Sequence, residues 1–101
     1  PAVLYVENHL GEPISMQEMA DLCNLSSSYF SRLFTREAGE GFKDYVNRRK
    51  VELAKDRLRN TSISIAQIAD DLSFSDSSYF VKTFKKFEGI TPSVYRRHKY
   101  R

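Results

Sequence analysis

The sequence holds a single cysteine in 101 residues, so no disulfide can close within the chain and no cysteine-based zinc site is available. That usage fits a reducing compartment. Glycine is scarce as well, with four in all, and none stands in a Gly-Lys-Ser/Thr phosphate loop. No apolar run approaches the roughly 18 residues that span a membrane. No signal-peptide pattern occurs, and a start at Pro1 rather than Met reads as a piece of a longer protein. Strand-like alternation is missing too. These absences exclude a disulfide miniprotein, a collagen-like chain and a membrane span.

What is present has a globular balance, 41% hydrophobic and 29% charged. The length suits one small domain or two very small subdomains, with roughly 60–70% of the unfolded surface buried. Charge is unevenly placed within the net +3. Residues 1–41 hold Arg32 and Arg36 against Glu7, Glu12, Glu18, Asp21, Glu37 and Glu40, a net of −4. Residues 42–101 carry a net of +7. A basic half points to a polyanion or an acidic surface as partner, or else to a merely solvated face.

The chain also repeats itself. Displaced by 50 positions, Ser27-Ser28-Tyr29-Phe30 falls on Ser77-Ser78-Tyr79-Phe80, Phe34 on Phe84, Gly39 on Gly89 and Tyr45 on Tyr95. Upstream the offset is 49, so that Ser15-Met16 meets Ser64-Ile65 and Ala20-Asp21 meets Ala69-Asp70. Two units are too few for a solenoid and read as a duplicated motif. Each unit reads as helix, tight turn, helix. Ser15…Glu18 and Ser64…Gln67 are capping-box patterns. Met16, Met19, Ala20 and Cys23 form an apolar stripe, matched by Ile65, Ile68, Ala69 and Leu72. Asn24 and Ser73 are the turn residues. Ser26, and Ser75 or Asp76, cap the second helices, which Gly39 and Gly89 end. Val3 to Leu10 adds a helix, Phe42 to Arg59 a long joining helix, and Thr91-Pro92 opens a last one. The expectation is an all-α fold of seven helices: a first helix-turn-helix subdomain over 1–41, a linker helix over 42–60 and a second subdomain over 61–101.

The second helix of each unit is amphipathic. Phe30, Leu33, Phe34 and Glu37 share one face, opposite Ser28, Arg32 and Thr35 with Ser31 and Arg36 beside them. Phe80, Thr83, Phe84 and Phe87 share the corresponding face, opposite Ser78, Lys82 and Lys85, flanked by Val81 and Lys86. Such a helix after a short helix and tight turn is the plan that enters a DNA major groove. Small residues early in it let the backbone approach base edges, and later basic residues reach phosphates.

The stretch from Ile65 to Arg97 resembles the signature of the AraC/XylS transcription regulators. It carries in order the Ala69, the Phe74-Ser75-Asp76, the Tyr79-Phe80, the Phe84-Lys85-Lys86, the Gly89-Ile90-Thr91-Pro92 and the Tyr95-Arg96. The first unit resembles the weaker first half through Met19-Ala20, Leu25-Ser26, Tyr29-Phe30, Phe34 and Gly39. The resemblance implies a domain that binds double-stranded DNA with its two recognition helices in adjacent major-groove segments. It implies base contacts from Ser28, Ser31 and Arg32, and from Ser77, Ser78, Val81 and Lys82. Phosphate contacts are expected from Arg36, Lys50, Lys85 and Lys86. Ser73 stands where the family usually has a turn glycine, which leaves that turn strained or differently shaped. Lys50 stands where the joining helix commonly has Arg, keeping the charge without the bidentate fork.

The resemblance further implies a bacterial, cytoplasmic and nucleoid-associated regulator, activation favoured over repression, RNA polymerase as a partner, and an absent N-terminal sensing or dimerisation domain. No membrane partner, metal, cofactor or enzymatic activity is expected. His9 and His98 lack ligand spacing, Cys23 reads as a small buried hydrophobe, and no catalytic constellation is visible. The alternatives are a helical protein-interaction module that has lost specific DNA binding and, less readily, a repair enzyme fused to such a domain.

Overall fold

A computed structural model describes residues 2–98, and every statement of absence below concerns those residues. Seven helices follow one another: α1 (Ala2–Glu7), α2 (Met16–Leu22), α3 (Ser27–Ala38), α4 (Phe42–Asn60), α5 (Ile65–Asp71), α6 (Ser77–Glu88) and α7 (Pro92–His98). The chain divides into two compact units inside α4, the first running to Asn47 and the second beginning at Arg48. Thus α4 supplies core residues to each unit.

The helix starts follow from local chemistry. Ser15 Oγ accepts from the Glu18 amide at 3.2 Å, and Ser64 Oγ from the Gln67 amide at 3.1 Å. The expected return half of the second capping box is not made. The Gln67 side chain donates instead to Asp71 one turn on, at 2.7 Å. Of the two cap candidates before α6, Asp76 takes the role, accepting from the Tyr79 amide at 2.7 Å. Ser26 does the same for α3. Helix α1 ends at Glu7, short of the expected Leu10, because the chain tightens there: the His9 amide bonds the Val6 carbonyl.

The two turns are alike. Asn24 and Ser73 both adopt the left-handed conformation, at φ 58° and 61°. Each is followed by an amide that reaches back to the helix, Leu25 to the Ala20 carbonyl and Phe74 to the Ala69 carbonyl, both at 2.9 Å. The turn amides themselves bond Asp21 and Asp70. This pair of bonds is the Schellman closure, which satisfies carbonyls a helix end would leave open. Gly39 and Gly89, at φ 79° and 83°, end α3 and α6.

Packing repeats with the sequence. In the first unit α3 lies against α1 and α2, and in the second α6 lies against α5 and α7. Phe30, Phe34, Phe80 and Phe84 are fully buried. Phe34 meets Tyr45 edge to face at 5.2 Å between centroids. The second core gathers Val51, Ala54, Leu58, Ile68, Leu72, Phe74 and Tyr95 around the Phe80–Phe84 pair. Glu37, on the side of α3 that carries the phenylalanines, stays exposed and accepts from the Val3 amide at the start of α1.

Candidate nucleic-acid interface

Helices α3 and α6 are both 12 residues long and are capped alike at both ends. With their phenylalanines committed to the core, the opposite faces are fixed. On α3, Ser28, Arg32 and Arg36 are exposed and Ser31 is half-buried. Their helical spacing puts the three exposed residues on one strip. On α6, Ser77, Ser78, Lys82, Lys85 and Lys86 are exposed, with Val81 half-buried. Each strip therefore presents hydroxyls early and cations later.

Several cations elsewhere on the chain are paired with carboxylates. Arg49 bonds Glu52 at 2.6 Å, Lys55 bonds Glu88 at 3.1 Å and Arg57 lies 3.8 Å from Asp71. Among the described residues, Arg32, Arg36, Lys82 and Lys85 form no ion pair. Their positive charge is thus unneutralised and directed outward, the arrangement a polyanion exploits. Arg36, Lys85 and Lys86 also sit in last helical turns, where they complement the helix dipole.

Lys50 departs from the expectation. It is 6% exposed, its Nζ donates to the Ser73 carbonyl at 3.3 Å, and it lies 5.3 Å from the centre of the Phe74 ring. Burial lowers its pKa below the ordinary lysine value, because desolvation penalises the ammonium. A side chain so enclosed is not on the outer strip, and its burial does not fit the phosphate contact expected of Lys50.

Tyr29 was not singled out from the sequence, yet it is 45% exposed at the start of α3, with the Arg32 guanidinium over its ring at 5.9 Å. Its counterpart Tyr79 is half-buried and packs on Phe74 at 6.1 Å. The signal was the difference between Leu25 and Phe74. The first turn has no ring to cover its tyrosine.

Two helix-turn-helix units, each showing an exposed basic strip on its second helix, define a DNA-binding domain of a transcription regulator. A family model described as a helix-turn-helix domain matches residues 19–98. The chain belongs to the helix-turn-helix family of AraC/XylS-type regulators. It is 38% identical to the regulatory protein PocR of Salmonella typhimurium over 96 residues, covering 95% of this chain and 32% of PocR. The C-terminal domain of AraT, a response regulator from Geobacillus stearothermophilus, superposes with a TM-score of 0.91 at 30% identity, covering 96% of this chain and 81% of that one. An AraC-type transcriptional regulator from Chromobacterium violaceum gives a TM-score of 0.85 at 29% identity, with 99% and 89% covered. No helix among the described residues is long and apolar enough to cross a membrane.

Proposed function

We propose that α3 and α6 are the base-reading helices of this domain and take up successive major-groove segments of one duplex. Ser28, Ser31 and Arg32 read one segment; Ser77, Ser78, Val81 and Lys82 read the next. Arg36, Lys85 and Lys86 hold phosphates. The observation that carries this reading is the pair of outward strips whose Arg32, Arg36, Lys82 and Lys85 lack acidic partners. Arginine and lysine donate to guanine edges, and the hydroxyls suit close approach.

The parent protein is a longer bacterial regulator, cytoplasmic and associated with the nucleoid. This chain covers 32% of PocR, and the parent's remaining length carries a sensing or dimerising domain. The domain activates transcription by touching RNA polymerase. Selection of bound duplexes followed by footprinting tests the DNA reading. A single copy of the domain should protect an asymmetric site of about two helical turns. Protection of one turn, or a domain that binds no duplex at low salt, overturns it.

A further inference from the structure

We propose that Lys50 is a positioning residue for DNA recognition, its buried ammonium holding the left-handed turn at Ser73 and so setting the seat of α6. This rests on α6 being a reading helix.

The two turns pose the same demand and meet it differently. Each needs a residue at φ near 60°, a region unfavourable to an ordinary L side chain. Asparagine visits it more readily than most side chains, and Asn24 adopts it in the first unit. Serine is a poorer occupant, yet Ser73 sits at φ 61°. At this turn the second unit supplies the Lys50 amine on the Ser73 carbonyl. Lys50 is fixed in turn by the Phe74 ring, the residue just after the turn. A lysine buried to this extent carries a desolvation cost, visible in its lowered pKa. A merely space-filling role would be met better by methionine.

The consequence reaches DNA through a short path. Ser73 is separated from the Asp76 cap of α6 by Phe74 and Ser75. Phe74 packs on Phe80 of α6 at 4.9 Å. If Ser73 leaves the left-handed region, Phe74 and the first turn of α6 move with it, and Ser77, Ser78 and Lys82 lose their register on the bases.

The test uses Lys50→Met, Lys50→Arg, Ser73→Gly and the double variant Lys50→Met/Ser73→Gly, with Lys82→Ala as control. Glycine holds φ near 60° unaided. Lys50→Met should weaken binding to the selected duplex about tenfold, the scale of one left-handed residue's strain. Its log–log salt slope should stay at the wild-type value. Lys50→Arg should bind within a few-fold of wild type, and the double variant should regain wild-type affinity. Hydrogen exchange without DNA gives an independent reading: protection of the Phe74 amide should fall in Lys50→Met and return in the double variant. A double variant as weak as Lys50→Met, or one whose Phe74 amide stays unprotected, overturns the proposal. A salt slope reduced by about 0.9 in Lys50→Met would instead assign Lys50 to a phosphate and overturn it too. If Lys50→Met fails to fold, glycine at 73 must restore a cooperative melt, and failure to do so counts against the proposal. Loss of Phe74 protection together with a Lys82→Ala variant of unchanged base preference would leave the turn mechanism standing and reject α6 as a reader.

Discussion

Phe84 meets Tyr95 edge to face, with ring centroids 5.6 Å apart and planes at 70°. Phe34 and Tyr45 keep the same relation in the first unit, at 5.2 Å and 82°. In both units, then, the recognition helix is rooted by an aromatic pair whose tyrosine lies fifty residues from its counterpart. Phe84→Ala removes a fully buried ring and should cost about 3–5 kcal/mol. Denaturant unfolding measures this directly, and a midpoint unchanged from wild type would contradict the packing described.

Gly89 offers a cleaner measurement. It ends α6 at φ 83°, and a Cβ added there meets nothing within 4 Å. Gly89→Ala should therefore cost about 1–2 kcal/mol from backbone strain alone. Gly39→Ala, at φ 79° with equally open surroundings, should cost the same. The two should be additive in a double variant, since no partner is shared. A cost near zero for either in an unfolding titration would mean that the αL cap is dispensable.

The roles proposed for Arg32 and Lys85 predict different losses. Arg32→Ala should relax sequence preference at one or two base pairs by about 1–3 kcal/mol and leave affinity for random duplex nearly intact. Lys85→Ala should weaken all duplexes alike and lower the salt slope by about 0.9. Equal loss of specific and random binding in Arg32→Ala would remove its base-reading role.

Lys50 gives stability a pH dependence whose sign is fixed by burial. Its folded pKa lies below the unfolded one. Below the folded pKa the ammonium is buried in full, and its desolvation cost is fully present. As pH rises between the two values, the folded state sheds its proton first, so the unfolded state binds more protons and stability increases. Wild type should gain on Lys50→Met as pH climbs toward the ordinary lysine range, about 10. Paired unfolding titrations across that range would refute this if the difference were flat or fell.

The capping and turn chemistry was legible in the sequence because it is local. Ser15, Ser64, Asn24, Gly39 and Gly89 each declare a backbone conformation through their own side chain or lack of one. Both recognition helices and the burial of their phenylalanines followed from periodicity. What was hidden depends on neighbours distant in sequence. Nothing in the run Asn47-Arg48-Arg49-Lys50 marks Lys50 as the buried cation, since only the approach of Ser73 and Phe74 encloses it. The choice of Asp76 over Ser75 as cap, and of Asp71 as the Gln67 partner, turned on competition between nearby acceptors that pattern alone does not rank. Nothing in the matching Tyr29 and Tyr79 motifs marks the first as exposed and the second as half-buried.

The second unit carries one residue more than the first between its turn and its recognition helix. Leu25 passes directly to the Ser26 cap, whereas Ser75 intervenes between Phe74 and Asp76. On either side of it the bonds correspond: the turn closures upstream match at an offset of 49, and the caps downstream match at 50. The duplication thus has a frame shift in its three-dimensional grammar. Anyone transplanting the specificity of one unit onto the other must change frame at Ser75. A chimera drawn in the upstream frame would bring Phe30 to position 79 and leave a serine in the phenylalanine root at 80, turning a graft of DNA preference into a folding defect.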